Sequence, residues 1–233
     1  PMQMLEQALQ RIRSENHSTI LRRSAGIPPT ILAILRAEPG IIKANRSYNQ
    51  IKGIPAKKSE ETLLLNRTLD FLLAQFEEAD QRGDNKIHAF NIMKVVFSDA
   101  YLRHDVNTYI PRAMIVSLEE FKSDNWSIRN SALMNFTSLI RRLLDNFHIQ
   151  HQDLAKKRGF SIVELLTKFE SLMTYFTSKL QECQATNPHI SKSEKDKQDL
   201  TIFSILLLTS RLTPFGFFAA ESGQDDEASK LND

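Results

Sequence analysis

Apolar residues recur along this chain at intervals of three and four far more often than they alternate. Leu64, Leu65, Leu69, Leu72, Leu73 and Phe76 form one such stripe; Ile87, Phe90, Ile92, Met93, Val96 and Phe97 form another. That period places side chains on one face of a helix, the face a globular fold buries. Met4, Leu5, Ala8, Leu9 and Ile12 repeat it near the start. The pattern predicts helices over about 2–13, 18–25, 28–37, 60–81, 106–121, 160–184 and 197–212. Two more are opened by caps: Asp84 or Asn85 before the 87–97 stripe, and Ser123 or Asp124 before a helix that runs to about 144. Pro28 and Pro29 suit a first helical turn, and most glycines fall between the stripes. Strand-like alternation is scarce, so the fold class is all-α.

Helix pairs of this length, following one another in order, point to an α-solenoid of divergent armadillo/HEAT-like repeats. In DNWSIRNSALMNF, Asp124 is followed five residues later by Arg129, then by Ala132. This is the pattern of the second helix of a HEAT-type repeat, where the acid of one repeat reaches the arginine of the next. No strict internal repeat recurs. The expected organisation is one helical domain over 1–220, with a basic linker at about 41–59 and a polar loop at about 185–196. An acidic tail at 221–233 is expected to be disordered. The chain opens on Pro1, which points to a piece of a longer solenoid.

Composition changes this picture little: 41% apolar and 25% charged residues suit an ordinary packed core. The single Cys183 rules out an internal disulfide framework and fits a reducing compartment, the cytoplasm. No apolar run approaches the roughly 20 residues of a membrane helix, so no membrane insertion is expected. Charge is more informative. Residues 1–58 hold ten Lys/Arg against three Asp/Glu, while the remainder holds twenty against twenty-five. Such asymmetry suits a face turned toward an anion such as nucleic acid, and equally a solvated helix face with a basic loop.

Catalytic signatures are missing. No G-x-G-x-x-G, P-loop, H-E-x-x-H or G-x-S-x-G occurs. His148 and His151 lie three apart, but His17 and His189 do not complete a three-ligand metal site. The pairs Glu60–Glu61, Glu77–Glu78 and Glu119–Glu120 read as solvated helix faces, and Cys183 as a small buried or half-buried residue. No catalytic residue, metal or cofactor is expected of this chain.

Four ordered stretches carry a family resemblance: RRSAGIP (22–28), HAFNIMKVVFSDAYL (88–102), EEFKSDNWSIRNSALMNFTSLIRRLL (119–144) and LTIFSILLLTSRLTP (200–214). Together they resemble the central domain of the thyroid adenoma-associated (THADA-type) family, over most of residues 18–215. The resemblance implies a large armadillo/HEAT-like solenoid that is not itself an enzyme. Its partner would be an FtsJ-type 2′-O-methyltransferase that modifies a ribose in the tRNA anticodon loop, with tRNA as part of the complex. S-adenosylmethionine would bind that partner enzyme. The chain departs from the family pattern in Ile27, where leucine is usual, and in a second proline, Pro29, which stiffens the helix entry.

At this corner Arg22 and Arg23 carry guanidinium groups suited to phosphate. Ser24, Ala25 and Gly26 leave the backbone approachable, with Gly26 able to take a positive φ; Ile27 and Pro28 begin the next helix. Two readings stay open. The corner contacts tRNA or positions the methyltransferase, or it is a packing joint with one arginine paired inside the stack. For Trp126, Arg129 and Asn130, an aromatic beside a cation can stack a base. The favoured reading is structural: Trp126 fills a repeat interface, Arg129 bonds Asp124 or a neighbouring repeat, and Asn130 satisfies backbone groups. Arg141 and Arg142 sit near a predicted helix C-terminus and are weaker RNA candidates; Phe160, Phe169 and Phe176 read as core. The alternative function is a protein-only HEAT scaffold or adaptor, such as a membrane-pump regulator, with no RNA role.

Overall fold

The computed structural model describes residues 2–14, 26–38, 63–77, 83–150, 161–184, 192–210 and 212. Among them are nine α-helices and no strand: α1 Met2–Ser14, α2 Ile27–Arg36, α3 Leu63–Ala74, α4 Gly83–Ser98, α5 Ile110–Glu120, α6 Trp126–Gln150, α7 Ile162–Lys168, α8 Glu170–Gln184 and α9 Lys192–Thr209. The predicted 18–25 helix, the 41–59 linker, most of the 185–196 loop and the 221–233 tail lie outside the described residues.

Contacts at the helix ends fix the packing. Arg36, the last residue of α2, bonds Asp99 just beyond α4, so these two helices run parallel. Gly83 at the start of α4 faces Ile128 at the start of α6, and Arg142 of α6 reaches Phe97 near the end of α4. α2, α4 and α6 therefore form one parallel layer. α5 runs the other way, because Lys86 at the start of α4 bonds Glu120 at the end of α5, 2.6 Å. α3 starts where α2 ends, its Leu64 and Leu65 amides bonded to Glu38, so it runs the same way as α5, and Tyr109 and Arg112 reach its Asp70. The arrangement is a stack of antiparallel helix pairs in two layers, an all-α solenoid.

The predicted stripes make the core. Leu65, Leu69, Leu72, Leu73, Phe90, Phe97 and Phe136 are fully buried. Phe121 meets Phe136 edge to face, centroids 5.5 Å apart. In α1, Leu5, Leu9 and Ile12 are buried, but Met4 of the same stripe is exposed. Asn135 of α6 donates to the Ser117 hydroxyl of α5 at 3.0 Å inside the core, and that hydroxyl donates to Ala113 O.

Several predicted boundaries shift for local reasons. α3 tightens after Ala74, where the Gln75, Phe76 and Glu77 amides bond carbonyls three residues back. α4 starts at Gly83, so Asp84 and Asn85 are buried residues of its first turn rather than caps preceding it. α6 starts at Trp126; Asn125 accepts from the Ser127 amide at 2.9 Å, the role expected of Ser123 or Asp124. The single helix predicted over 160–184 is two helices, broken at Phe169 with φ −128° and ψ 75°. Ser161 and Glu164 close a reciprocal capping box on α7. α9 begins at Lys192, inside the predicted polar loop.

Glu119 and Glu120 are not a solvated pair. Glu120 is largely enclosed with Lys86. Glu119 accepts from the Tyr175 hydroxyl at 2.7 Å and from Lys122 at 3.0 Å, with Lys179 at 3.5 Å, joining α5 to α8. Burial would push the Glu119 carboxyl up, but Tyr175 and the two lysines together hold it below its ordinary range. α9 is apolar on two faces: Ile205 and Leu208 pack inward, whereas Leu200, Phe203, Leu206 and Leu207 face outward.

Candidate interaction site

The α2–α4–α6 layer has two ends, and they are built differently. At its C-terminal end lies a closed polar cluster around Asp99, whose side chain is 2% exposed. One carboxylate oxygen accepts the Tyr101 and Leu102 amides at 2.9 and 3.2 Å; the other accepts the Arg36 guanidinium, from Nε at 2.9 Å. From α6, Arg142 donates to Phe97 O and Asp99 O, both at 2.6 Å, while only 5% exposed. These are carbonyls a helix end leaves without intrahelical donors. Beside them, buried Glu38 accepts the Leu64 and Leu65 amides at 2.8 and 3.3 Å, capping α3. Burial pushes the Glu38 carboxyl up, those amides pull it partly back, and Asp105 adds to the rise.

None of these groups is offered to an outside ligand except the rim. Arg36 and Tyr101 are partly exposed, the guanidinium 5.1 Å from the ring centroid. The stretch 88–102, one of the four that resemble the family, thus supplies the internal joint of the stack. Arg142 is no helix-end cation: α6 continues to Gln150, and its guanidinium is spent on the α4 terminus.

The N-terminal end of the layer holds Gly26, Gly83 and Trp126. Arg22, Arg23, Ser24 and Ala25 lie outside the described residues. Gly26 is exposed, with φ −79° and ψ −18°, an ordinary right-handed conformation, so it does not use the positive φ that a glycine allows. A Cβ placed on it meets nothing within 4 Å among the described residues. Among the described residues, the close packing that small residues allow is not seen at Gly26. Gly83, on the same end of the layer, is the contrast: its Cβ would sit 3.2 Å from Ile128 Cδ1 and 3.4 Å from Asn125 Nδ2. Ile27 is the motif's anchor, buried against the core, and Pro28 is half-buried. Thr30 donates to Gly26 O at 2.8 Å, closing the first turn.

Trp126 lies on this same end, at the start of α6, and is 67% exposed. Among the described residues it does not fill a repeat interface. The turn before it is tightly tied. Arg129 Nη1 donates to the carbonyls of Ser123 and Asp124 at 2.7 and 3.0 Å, so its bonds to residue 124 go to backbone. Ser123 Oγ accepts the Asn125 amide at 3.3 Å. Asp124 and Asn130 are exposed. Among the core candidates, Phe169 and Phe176 are buried and Cys183 is half-buried; Phe160 lies outside the described residues.

Among the described residues no group of three or more His, Cys, Asp or Glu could hold a metal ion, and no helix is long and apolar enough to cross a membrane. The fold defines a helical-repeat protein. Residues 1–127 match the family model described as THADA/TRM732, DUF2428, and residues 129–232 match Trm732, C-terminal TPR repeats. The chain belongs to the THADA/TRM732 family.

It is 28% identical over 218 residues to the chicken (Gallus gallus) "tRNA (32-2'-O)-methyltransferase regulator THADA", covering 92% of this chain and 10% of that protein. It is 26% identical over 225 residues to the fission yeast (Schizosaccharomyces pombe) "tRNA (32-2'-O)-methyltransferase regulator trm732", covering 94% and 13%. The chain thus spans about a tenth of the length of these relatives. No solved structure matches it. The two family models meet inside the first turn of α6, yet α6 packs against α4 and α5 without a break there.

Proposed function

We propose that this chain is part of a non-catalytic regulator that partners an FtsJ-type methyltransferase for 2′-O-ribose methylation in the tRNA anticodon loop. What carries the reading is the family match along nearly the whole chain, to relatives named as regulators of that methylation. S-adenosylmethionine belongs to the enzyme partner, and this chain supplies shape and placement. A folded RNA is met by shape, phosphate contacts and its unpaired bases, which a rigid helical stack can offer. The corner at residues 22–28 is the contact region. Its glycine is exposed, and among the described residues nothing lies within 4 Å of a Cβ placed on it, which favours an approaching molecule over a packing joint.

The test is reconstitution. The full-length protein and its candidate methyltransferase are purified apart and together, and anticodon-loop ribose methylation is measured on unmodified tRNA. The reading expects methylation from the pair and none from this protein alone. Equal methylation by the enzyme without it would sink the regulatory role. Methylation by this protein alone would make it an enzyme.

A further inference from the structure

α9 turns its more polar side inward. Thr201 and Ser204 are buried beside Ile205 and Leu208, whereas Leu200, Phe203, Leu206 and Leu207 are exposed, Phe203 by 62% and Leu206 by 56%. Residues 200–208 contain no charged side chain. α8 and α9 both pack against α5, and α8 likewise exposes Met173 and Leu180. An apolar stripe of this extent, with no charge interleaved, is not the surface of a helix that stays in water. α4 shows what such a composition serves within this fold. It lies between α2 and α6, and buries Ala89, Phe90, Ile92, Met93, Val96 and Phe97 over more than one of its faces. α9 is as densely apolar over 200–208, but among the described residues its outward side is left uncovered.

We propose that the outward side of α8 and α9 is the seam on which the next helix pair of the same polypeptide, C-terminal to residue 233, stacks. Each repeat of a helical stack is covered only by its neighbours, so a stack that ends carries a polar outer face on its last pair. The outward side of α9 is the reverse of that. The chain spans about a tenth of the length of its relatives, and residues 129–232 match a family model of repeats, so the relatives hold chain enough for further pairs. The stripe offers no cation to a phosphate backbone, which disfavours RNA as the cover. A surface visited by a separate protein is about as polar as the rest of the exterior. The composition of α9 is instead that of α4, a helix held between neighbours in one chain. The seam is independent of any role in tRNA methylation.

Site-specific photo-cross-linking in the full-length protein tests this. The photoreactive residue p-benzoylphenylalanine replaces Phe203, which keeps an aromatic ring at the centre of the stripe. The same replacement of Leu206 is a second probe, in case the first disturbs folding. The purified protein is irradiated alone at high dilution, then with the candidate methyltransferase and tRNA, and cross-linked peptides are identified by mass spectrometry. The seam predicts an intramolecular cross-link from either position to a segment beyond residue 233, formed by the protein alone and unchanged when the others are added. A cross-link to residues 211–233 instead would make that segment the cover and overturn the proposal. A cross-link to a second copy, to the methyltransferase or to tRNA would also overturn it. So would no cross-link from either position, which would leave α9 facing water.

Discussion

The two ends of the α2–α4–α6 layer contain similar residue types put to different use. At the C-terminal end, Arg36, Arg142, Glu38 and Asp99 look like a charged recognition cluster, yet the fold takes up most of their hydrogen-bonding capacity. Helix ends there leave carbonyls and amides that must find partners, and these side chains provide them. At the N-terminal end, Gly26 and Trp126 have features no contact among the described residues explains: a missing Cβ with open space, and a large ring in solvent. Charge alone is therefore a poor guide to a site in a helical stack. A side chain whose properties the fold leaves unused is a better one.

The comparison predicts opposite effects from mutations at the two ends. The largest belongs to Arg142→Ala. It strips two buried carbonyls of their donor and removes a cation from beside Asp99, which should cost about 3–5 kcal/mol in urea unfolding. Abundance in cells should fall with it. Asn135→Ala, within the core of the same stack, removes the donor to Ser117 and should cost about 1–3 kcal/mol.

Acid titration sharpens the contrast in sign. Glu38 has a raised folded pKa, so its contribution is present below the ordinary glutamate range and lost as pH rises through the raised value. Glu119 has a lowered folded pKa, so its contribution is present above the ordinary range and lost as pH falls through the lowered value. Glu38→Gln should therefore flatten the decline in stability just above the ordinary glutamate pKa, and Glu119→Gln should flatten the decline below it. Unfolding midpoints across pH 3–7 of each variant check both signs. An unchanged pH profile in Glu38→Gln would break the burial argument for that carboxyl.

The smallest stability effect is expected at the N-terminal end. Gly26→Ala should move stability by no more than about 0.5–1 kcal/mol, because a poorer N-cap and a stiffer unfolded chain oppose each other. The same substitution at Gly83 needs Ile128 or Asn125 to shift and should cost more. Equal costs at the two glycines would erase the distinction.

Much of this was legible in the sequence. The 64–76 and 87–97 stripes are nearly all buried because helical period alone decides which face turns inward. Periodicity does not say whether a second element covers the other face, which is why Met4 is exposed although it belongs to a predicted stripe. Arg142 resembled a helix-end cation because the apolar pattern fades after Leu144, whereas the backbone of α6 continues. The break at Phe169 has no glycine or proline to announce it. The Asp99 cluster joins residues 36, 99 and 142, a proximity that only packing creates.

Arg142 packs at the C-terminal end of the layer, and Arg22 and Arg23 precede in sequence the helix, α2, that begins at the other. Full-length protein carrying Arg22→Ala with Arg23→Ala, and separately Arg142→Ala, would be expressed in cells lacking their own copy. Abundance and anticodon-loop 2′-O-methylation would be read together. The account predicts lost methylation at normal abundance for the Arg22/Arg23 pair, and loss of both in proportion for Arg142→Ala. Full methylation with the Arg22/Arg23 pair replaced would contradict it.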